Sequence, residues 1–147
     1  MITVEKVLFL GHVPVFAGMP SRELGRIAAI TEEVVSPAGT LIFRQDDAGD
    51  SMFLVVEGEV AILRDENEIA RIGPSGYFGE MAILDDEPRS ASAVATGDSL
   101  LLRIKRQDFV DIVTSHPHAA LAIIRTLSKR LRSMLEKGTG VPQRSNV

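Results

Sequence analysis

Apolar residues recur at helical spacing near the start of the chain, first Val4, Val7 and Leu8, then Leu24, Ile27 and Ala28. Positions three and four apart share one helix face, so the pattern predicts a pair of helices within residues 1–31. Ser21, directly after Pro20, is the expected N-cap of the second. Between the helices, Val13-Pro14-Val15-Phe16-Ala17-Gly18 is an apolar turn expected to pack onto the core. From residue 32 to residue 104 the chain reads as short strands, expected at 33–36, 40–44, 52–57, 59–64, 69–72, 91–95 and 100–104. Gly39, Gly49, Gly58, Gly73, Gly76 and Gly97 mark the corners. Short strands at such regular intervals argue for an antiparallel sandwich or barrel. Residues 105–115 return to helix, with Phe109, Ile112 and Val113 on one face. After His116 and Pro117, a longer helix at 117–137 carries Ala120, Ile123, Ile124, Leu127, Leu131, Met134 and Leu135 along a stripe. Pro117 and Gly138 mark its ends. Residues 138–147 are polar and aperiodic and read as a disordered tail. The predicted plan is mainly β with flanking helices: N-terminal helices (1–31), a β-roll (32–104) and C-terminal helices (105–137), together one domain.

Composition narrows the class. A chain of 147 residues is the size of one domain, and 45% hydrophobic with 24% charged residues excludes a disordered linker. A net charge of −4 argues against a general nucleic-acid coat protein. The absence of cysteine excludes disulfides, thiolate zinc sites and a cysteine nucleophile. No apolar run approaches the roughly 18 residues of a membrane span, and Met1 to Lys6 lack a secretory layout. The expectation is a cytoplasmic domain without membrane insertion.

One stretch carries chemistry, from Tyr77 to Ser92. Gly79 precedes a short helix-forming run, Glu80 to Leu84, inside an otherwise β region. The first N–H groups of such a helix lack internal partners and suit an anion. Arg89 follows nine residues after Glu80, behind Pro88 and ahead of the small residues Ser90, Ala91 and Ser92. A guanidinium suits a compact oxyanion such as a phosphate diester, and a carboxylate can accept hydrogen bonds from sugar hydroxyls. Together these describe a nucleotide sugar-phosphate pocket.

Phe78-Gly79-Glu80-Met81-Ala82 followed by Pro88-Arg89-Ser90-Ala91 resembles the phosphate-binding cassette (78–92) of cyclic nucleotide-binding domains. These are the domains of the catabolite activator protein, protein kinase A regulatory subunits and cyclic nucleotide-gated channels. Upstream, Gly49 to Val60 is similar to the family's glycine-punctuated strand pair. The resemblance implies an antiparallel β-roll, a jelly-roll-like double-stranded β-helix. It also implies a ligand-binding set of Phe78, Gly79, Glu80, Met81, Ala82, Arg89, Ser90 and Ala91. In that set Arg89 pairs with the cyclic phosphate and Glu80 holds the ribose 2′-hydroxyl. Backbone amides around Gly79, Glu80, Ala82 and Ser90–Ala91 complete the contacts, and Ser90 reaches the phosphate or the base. The C-terminal helix becomes a lid with Leu131, Met134 and Leu135 at the base. Apolar lid residues can pack on a base but cannot read its edge. The expected ligand is cyclic AMP, with cyclic GMP as the alternative and no cofactor.

The blander readings differ in weight. Alone, Arg89 would read as a surface arginine closing a salt bridge; within the cassette it reads as a ligand group. Asp85-Asp86-Glu87 reads as a solvated loop rather than a metal cluster. His12, His116 and His118 lack metal-site spacing, and neither metal ligands nor a positioned base supports an enzyme. The basic run Arg125, Lys129, Arg130, Arg132 and Lys137 reads as the solvated face of the last helix. The apolar stripe of that helix either packs on the barrel alone or also pairs with a second copy in a homodimer. Transcription-factor members continue into a helix-turn-helix, so direct DNA binding is not expected of a chain ending at Val147; its output would pass to an effector domain or protein outside it. The rival reading is an interaction module that keeps the fold without nucleotide.

Overall fold

Two helices open the chain, α1 (Thr3–Leu10) and α2 (Ser21–Ile30), followed by five strands: β1 (Glu32–Ser36), β2 (Leu41–Phe43), β3 (Ser51–Glu57), β4 (Val60–Arg64) and β5 (Asn67–Ile72). Then come β6 (Tyr77–Phe78), α3 (Glu80–Asp85), β7 (Ser92–Ala95), β8 (Ser99–Lys105), α4 (Arg106–Ser115) and α5 (Pro117–Lys137). The computed structural model describes residues 1–137, so the expected helix stop at Gly138 and the tail 138–147 lie outside the described residues. The strands form two sheets in the orders β1-β8-β3-β6 and β2-β7-β4-β5, and every pairing is antiparallel. This is the mainly β architecture with flanking helices expected from the pattern.

Alternation along β3 explains how the layers stack. All of Ser51 to Val55 is buried, because successive side chains point to opposite faces and both faces are covered. Met52 and Leu54 join Leu10, Phe16, Leu24, Ile27, Phe109 and Ile123 in a cluster between sheet and helices. Phe53 and Val55 join Val60, Phe78, Ala93 and Leu101 in a second cluster. The apolar turn after α1 packs as expected, with Val13, Val15 and Phe16 fully buried.

Three local readings change. Ser21 does not cap α2: Pro20 holds the extended N-cap position and Ser21 is the first helical residue. β6, unpredicted, has two residues, too few to show a period; its pairs Phe53–Phe78 and Leu54–Tyr77 tie the cassette to the central strand. The cassette helix runs to Asp85 rather than Leu84. Among the described residues, no helix is long and apolar enough to cross a membrane.

Candidate functional site

β6 delivers the chain to Gly79, which turns it into α3 with φ +86° and ψ +2°. That left-handed conformation favours glycine, since a Cβ there crowds the backbone. A second constraint is steric, because a Cβ on Gly79 would lie 2.9 Å from Arg89 Nη1.

Arg89 is only 5% exposed. Its Nη1 donates to the Gly79 carbonyl at 2.8 Å and its Nη2 to the Ser51 carbonyl at 2.7 Å. The guanidinium carbon sits 4.0 Å from the centre of the Phe43 ring. Gly49 approaches so closely that a Cβ there would fall 2.4 Å from Nε. The Arg89 backbone is clamped too, its N–H donating to Asp47 O and its carbonyl accepting from Asp46 N–H. Nε, although buried, has no partner among the described residues. Burial pushes the guanidinium pKa below its ordinary value, while the Asp50 and Glu80 carboxylates pull it back up.

Glu80 is 1% exposed and accepts a hydrogen bond from Arg130 Nη1 at 2.8 Å. Arg130 Nη2 donates to the Tyr77 carbonyl, and its guanidinium carbon lies 5.2 Å from the Tyr77 ring centre. Burial pushes the Glu80 carboxyl above the usual carboxylate range, and the Arg130 charge opposes that rise. Arg130 therefore leaves the solvated basic face assigned to it. Its signal was present in the spacing: Ile123, Leu127 and Arg130 fall three and four apart, on the stripe that packs inward.

The other expected site residues divide by environment. Phe78 is buried and stacks on Phe53 at 5.4 Å between ring centres, so its side chain belongs to the core. Ala82 and Ala91 are buried. Met81 is 47% exposed, and the exposed Ser90 hydroxyl donates to its sulfur at 3.9 Å. On α5, Leu131 and Met134 are exposed and Leu135 is half-buried, while the polar link from α5 to the cassette comes from Arg130. Arg106, at the start of α4, donates to the carbonyls of Gly49 at 2.7 Å and Ala82 at 3.2 Å and pairs with Asp86. Charge counting could not single it out among the chain's basic residues.

Asp85, Asp86 and Glu87 are exposed, as expected of a solvated loop. Beside them a cavity of about 520 Å³ is lined by Asp46, Asp50, Asp86, Glu87 and Arg106, with Ala48, Gly49 and Pro88. Four carboxylates against one arginine make it a poor seat for a phosphate. Among the described residues, no group of three or more His, Asp or Glu side chains could hold a metal ion.

The family model for the cyclic nucleotide-binding domain matches residues 33–116. The cyclic AMP receptor protein of Thermus thermophilus is 36% identical over 124 residues, covering 81% of this chain and 57% of that protein. A cyclic nucleotide-gated potassium channel of Rhizobium etli is 34% identical over 118 residues, covering 80% of this chain and 33% of the channel. The crystal structure of the Thermus thermophilus catabolite activator protein superposes with a TM-score of 0.74 at 36% identity, over 84% of this chain and 61% of that one. The chain thus spans 57% or less of the length of these curated relatives.

Proposed function

Because this chain belongs to the cyclic nucleotide-binding domain family, we propose that residues 1–137 form one regulatory sensor domain that binds cyclic AMP. One observation carries this reading. A cation and an anion, Arg89 and Glu80, are both buried in a single cassette beside a left-handed glycine. Burying charged side chains is costly, so their retention side by side supports a ligand that carries an anion and a hydroxyl.

In this reading the cyclic phosphate meets Arg89, and the Ser90 and Ala91 amides together with those of Gly79, Glu80 and Ala82 complete the cradle. The Ser90 hydroxyl contacts the phosphate or the base, and Phe78 and Met81 belong to the cassette through their backbone. The ribose 2′-hydroxyl donates to Glu80. Since Glu80 is already held by Arg130, sugar binding acts directly on α5. Arg106 joins the cassette to α4 in the same way. Occupancy then shifts the population of α4–α5 arrangements, and no bond is made or broken. Leu131, Met134 and Leu135 cover the base without reading its edge, so cyclic GMP is the competing ligand.

The exposed seam Leu121, Ile124 and Leu131 on α5 supports a homodimer of this chain. The output passes to an effector beyond the domain, in the cytoplasm where the messenger acts. Neither a cofactor nor DNA contact enters this reading.

Calorimetric titration of the dialysed protein with cyclic AMP and cyclic GMP tests it. Binding should be measurable, and Arg89→Ala or 2′-deoxy cyclic AMP should lose about 2–5 kcal/mol, the cost of removing one partner of a buried polar contact. Folded protein, free of nucleotide, that binds neither compound would leave the interaction-module reading in place.

A further inference from the structure

A buried guanidinium needs more than hydrogen-bond acceptors to point the right way. Gly79 O and Ser51 O take up two of the five N–H donors of Arg89 and fix the plane of the group within the cassette. The face of that plane is in contact with Phe43. Phe43 is the last residue of β2, where the pairing with β7 shifts register between Leu41 and Phe43. The irregularity lies at the residue whose ring reaches the arginine. The ring is itself held on two sides, its centre 6.0 Å from that of Phe53 and 5.8 Å from that of Phe78. Phe53 and Phe78 stack on each other and are buried. Phe43 also fills the space under the cassette turn, its Cε2 lying 3.4 Å from where a Gly79 Cβ would stand. One ring therefore supports both ends of the cassette, the left-handed glycine and the arginine.

We propose that Phe43 is a positioning residue for ligand binding, its ring face carrying the Arg89 guanidinium and setting its aim at the ligand's phosphate; this rests on the cyclic-nucleotide reading above. The electron-rich face of an aromatic ring attracts a cation, and the attraction grows when water is excluded. Arg89, at 5% exposure, is such a cation, and Asp50 and Glu80 are the carboxylates acting on it. An aliphatic side chain of similar volume fills the space but offers no charge attraction. It leaves the guanidinium free to tilt out of the plane that its two carbonyl partners share.

The test is a cyclic AMP titration of the whole chain carrying Phe43→Leu, Phe43→Tyr and a series of phenylalanines with one, two or three ring fluorines at position 43. Thermal unfolding of each free variant is measured alongside. Phe43→Leu should bind about tenfold more weakly than the wild type, and Phe43→Tyr should restore affinity to within about twofold. Each added fluorine withdraws charge from the ring at nearly constant shape, so affinity should fall stepwise while the unfolding midpoint stays level. Wild-type-like binding by Phe43→Leu, or affinity indifferent to fluorination, overturns the role of Phe43 and leaves the cyclic-nucleotide reading standing. If Phe43→Leu does not fold, the fluorinated series decides alone. A wild type that binds neither cyclic AMP nor cyclic GMP overturns both the role and the reading it rests on.

Discussion

Arg89 brings a positive charge into a place only 5% exposed, and its surroundings are shaped to fit it. Gly49 is the tightest part of that fit. A methyl at this position would lie 2.4 Å from Arg89 Nε and 2.6 Å from Cζ, closer than atoms approach, so Gly49→Ala must swing the guanidinium aside. Such a move breaks the bonds to Gly79 O and Ser51 O, which should lower stability by about 1–3 kcal/mol. Cyclic AMP affinity should fall at least about tenfold, well within what losing a charged hydrogen bond removes. Circular-dichroism melting and calorimetric titration of one Gly49→Ala preparation check both; unchanged affinity in a folded variant would mean that the phosphate does not engage Arg89. At this scale the cassette was legible in the sequence because its backbone leaves little choice. A turn at φ +86° calls for glycine, which stands there as Gly79, and its short helix follows at once. Phe43 was not legible, since its role depends on an arginine 46 positions away that only the β2–β7 pairing brings near.

Helix α5 has two faces with different work. Ala119, Ile123 and Leu127 pack inward, and Arg130 continues that face to reach Glu80. Removing Arg130 would leave a 1% exposed carboxylate without its cation. Arg130→Ala should therefore cost about 3 kcal/mol near neutral pH, toward the low end for a buried pair because Arg130 keeps some contact with water. The pH dependence has a definite sign. Burial already raises the folded-state pKa of Glu80, and losing Arg130 raises it further. The folded variant then binds its proton more tightly than the unfolded chain does. Its stability falls as pH rises from the ordinary value of 4.5 through the raised one, and the gap to wild type widens. Urea unfolding at pH 4.5 and pH 7.5 measures that gap; a gap independent of pH would assign the loss to packing. The elements themselves were largely legible, because helices and the longer strands repeat their apolar positions often enough to show a period. What escaped were features set by partners. β6 exists because Phe53 and Leu54 pair with it, and Ser21 is not a cap because Pro20 already holds the extended position. The spacing of Arg130 puts it on the inward stripe, but its anion lies 50 positions earlier, so the sequence showed the face and not the partner.

For the molecule as a whole, the proposed pairing of two copies rests on the outer face of α5. Leu121, Ile124, Leu131 and Met134 are exposed by 45%, 60%, 55% and 37%. Spacings of three and seven place Leu121, Ile124 and Leu131 along one seam of the kind two helices bury against each other. Met134, seven residues beyond Leu127, continues the inward face. On the proposed pairing of two copies, the wild type should sediment as a dimer at micromolar concentration. Leu131→Glu, and Ile124→Glu with it, should yield monomers that melt within a few degrees of wild type, since neither side chain belongs to the core. The same seam contains Leu131, one of the residues proposed to cover the base, so assembly and ligand binding draw on a shared contact. Linkage then makes the coupling reciprocal: whatever factor cyclic AMP applies to the dimer constant, dimerisation must apply to cyclic AMP affinity. Titrations above and below the dimer dissociation constant, paired with sedimentation at zero and saturating cyclic AMP, should give the same factor twice. A wild type that remains monomeric with and without nucleotide would sever lid from seam, and α5 would then answer to the ligand through Arg130 alone.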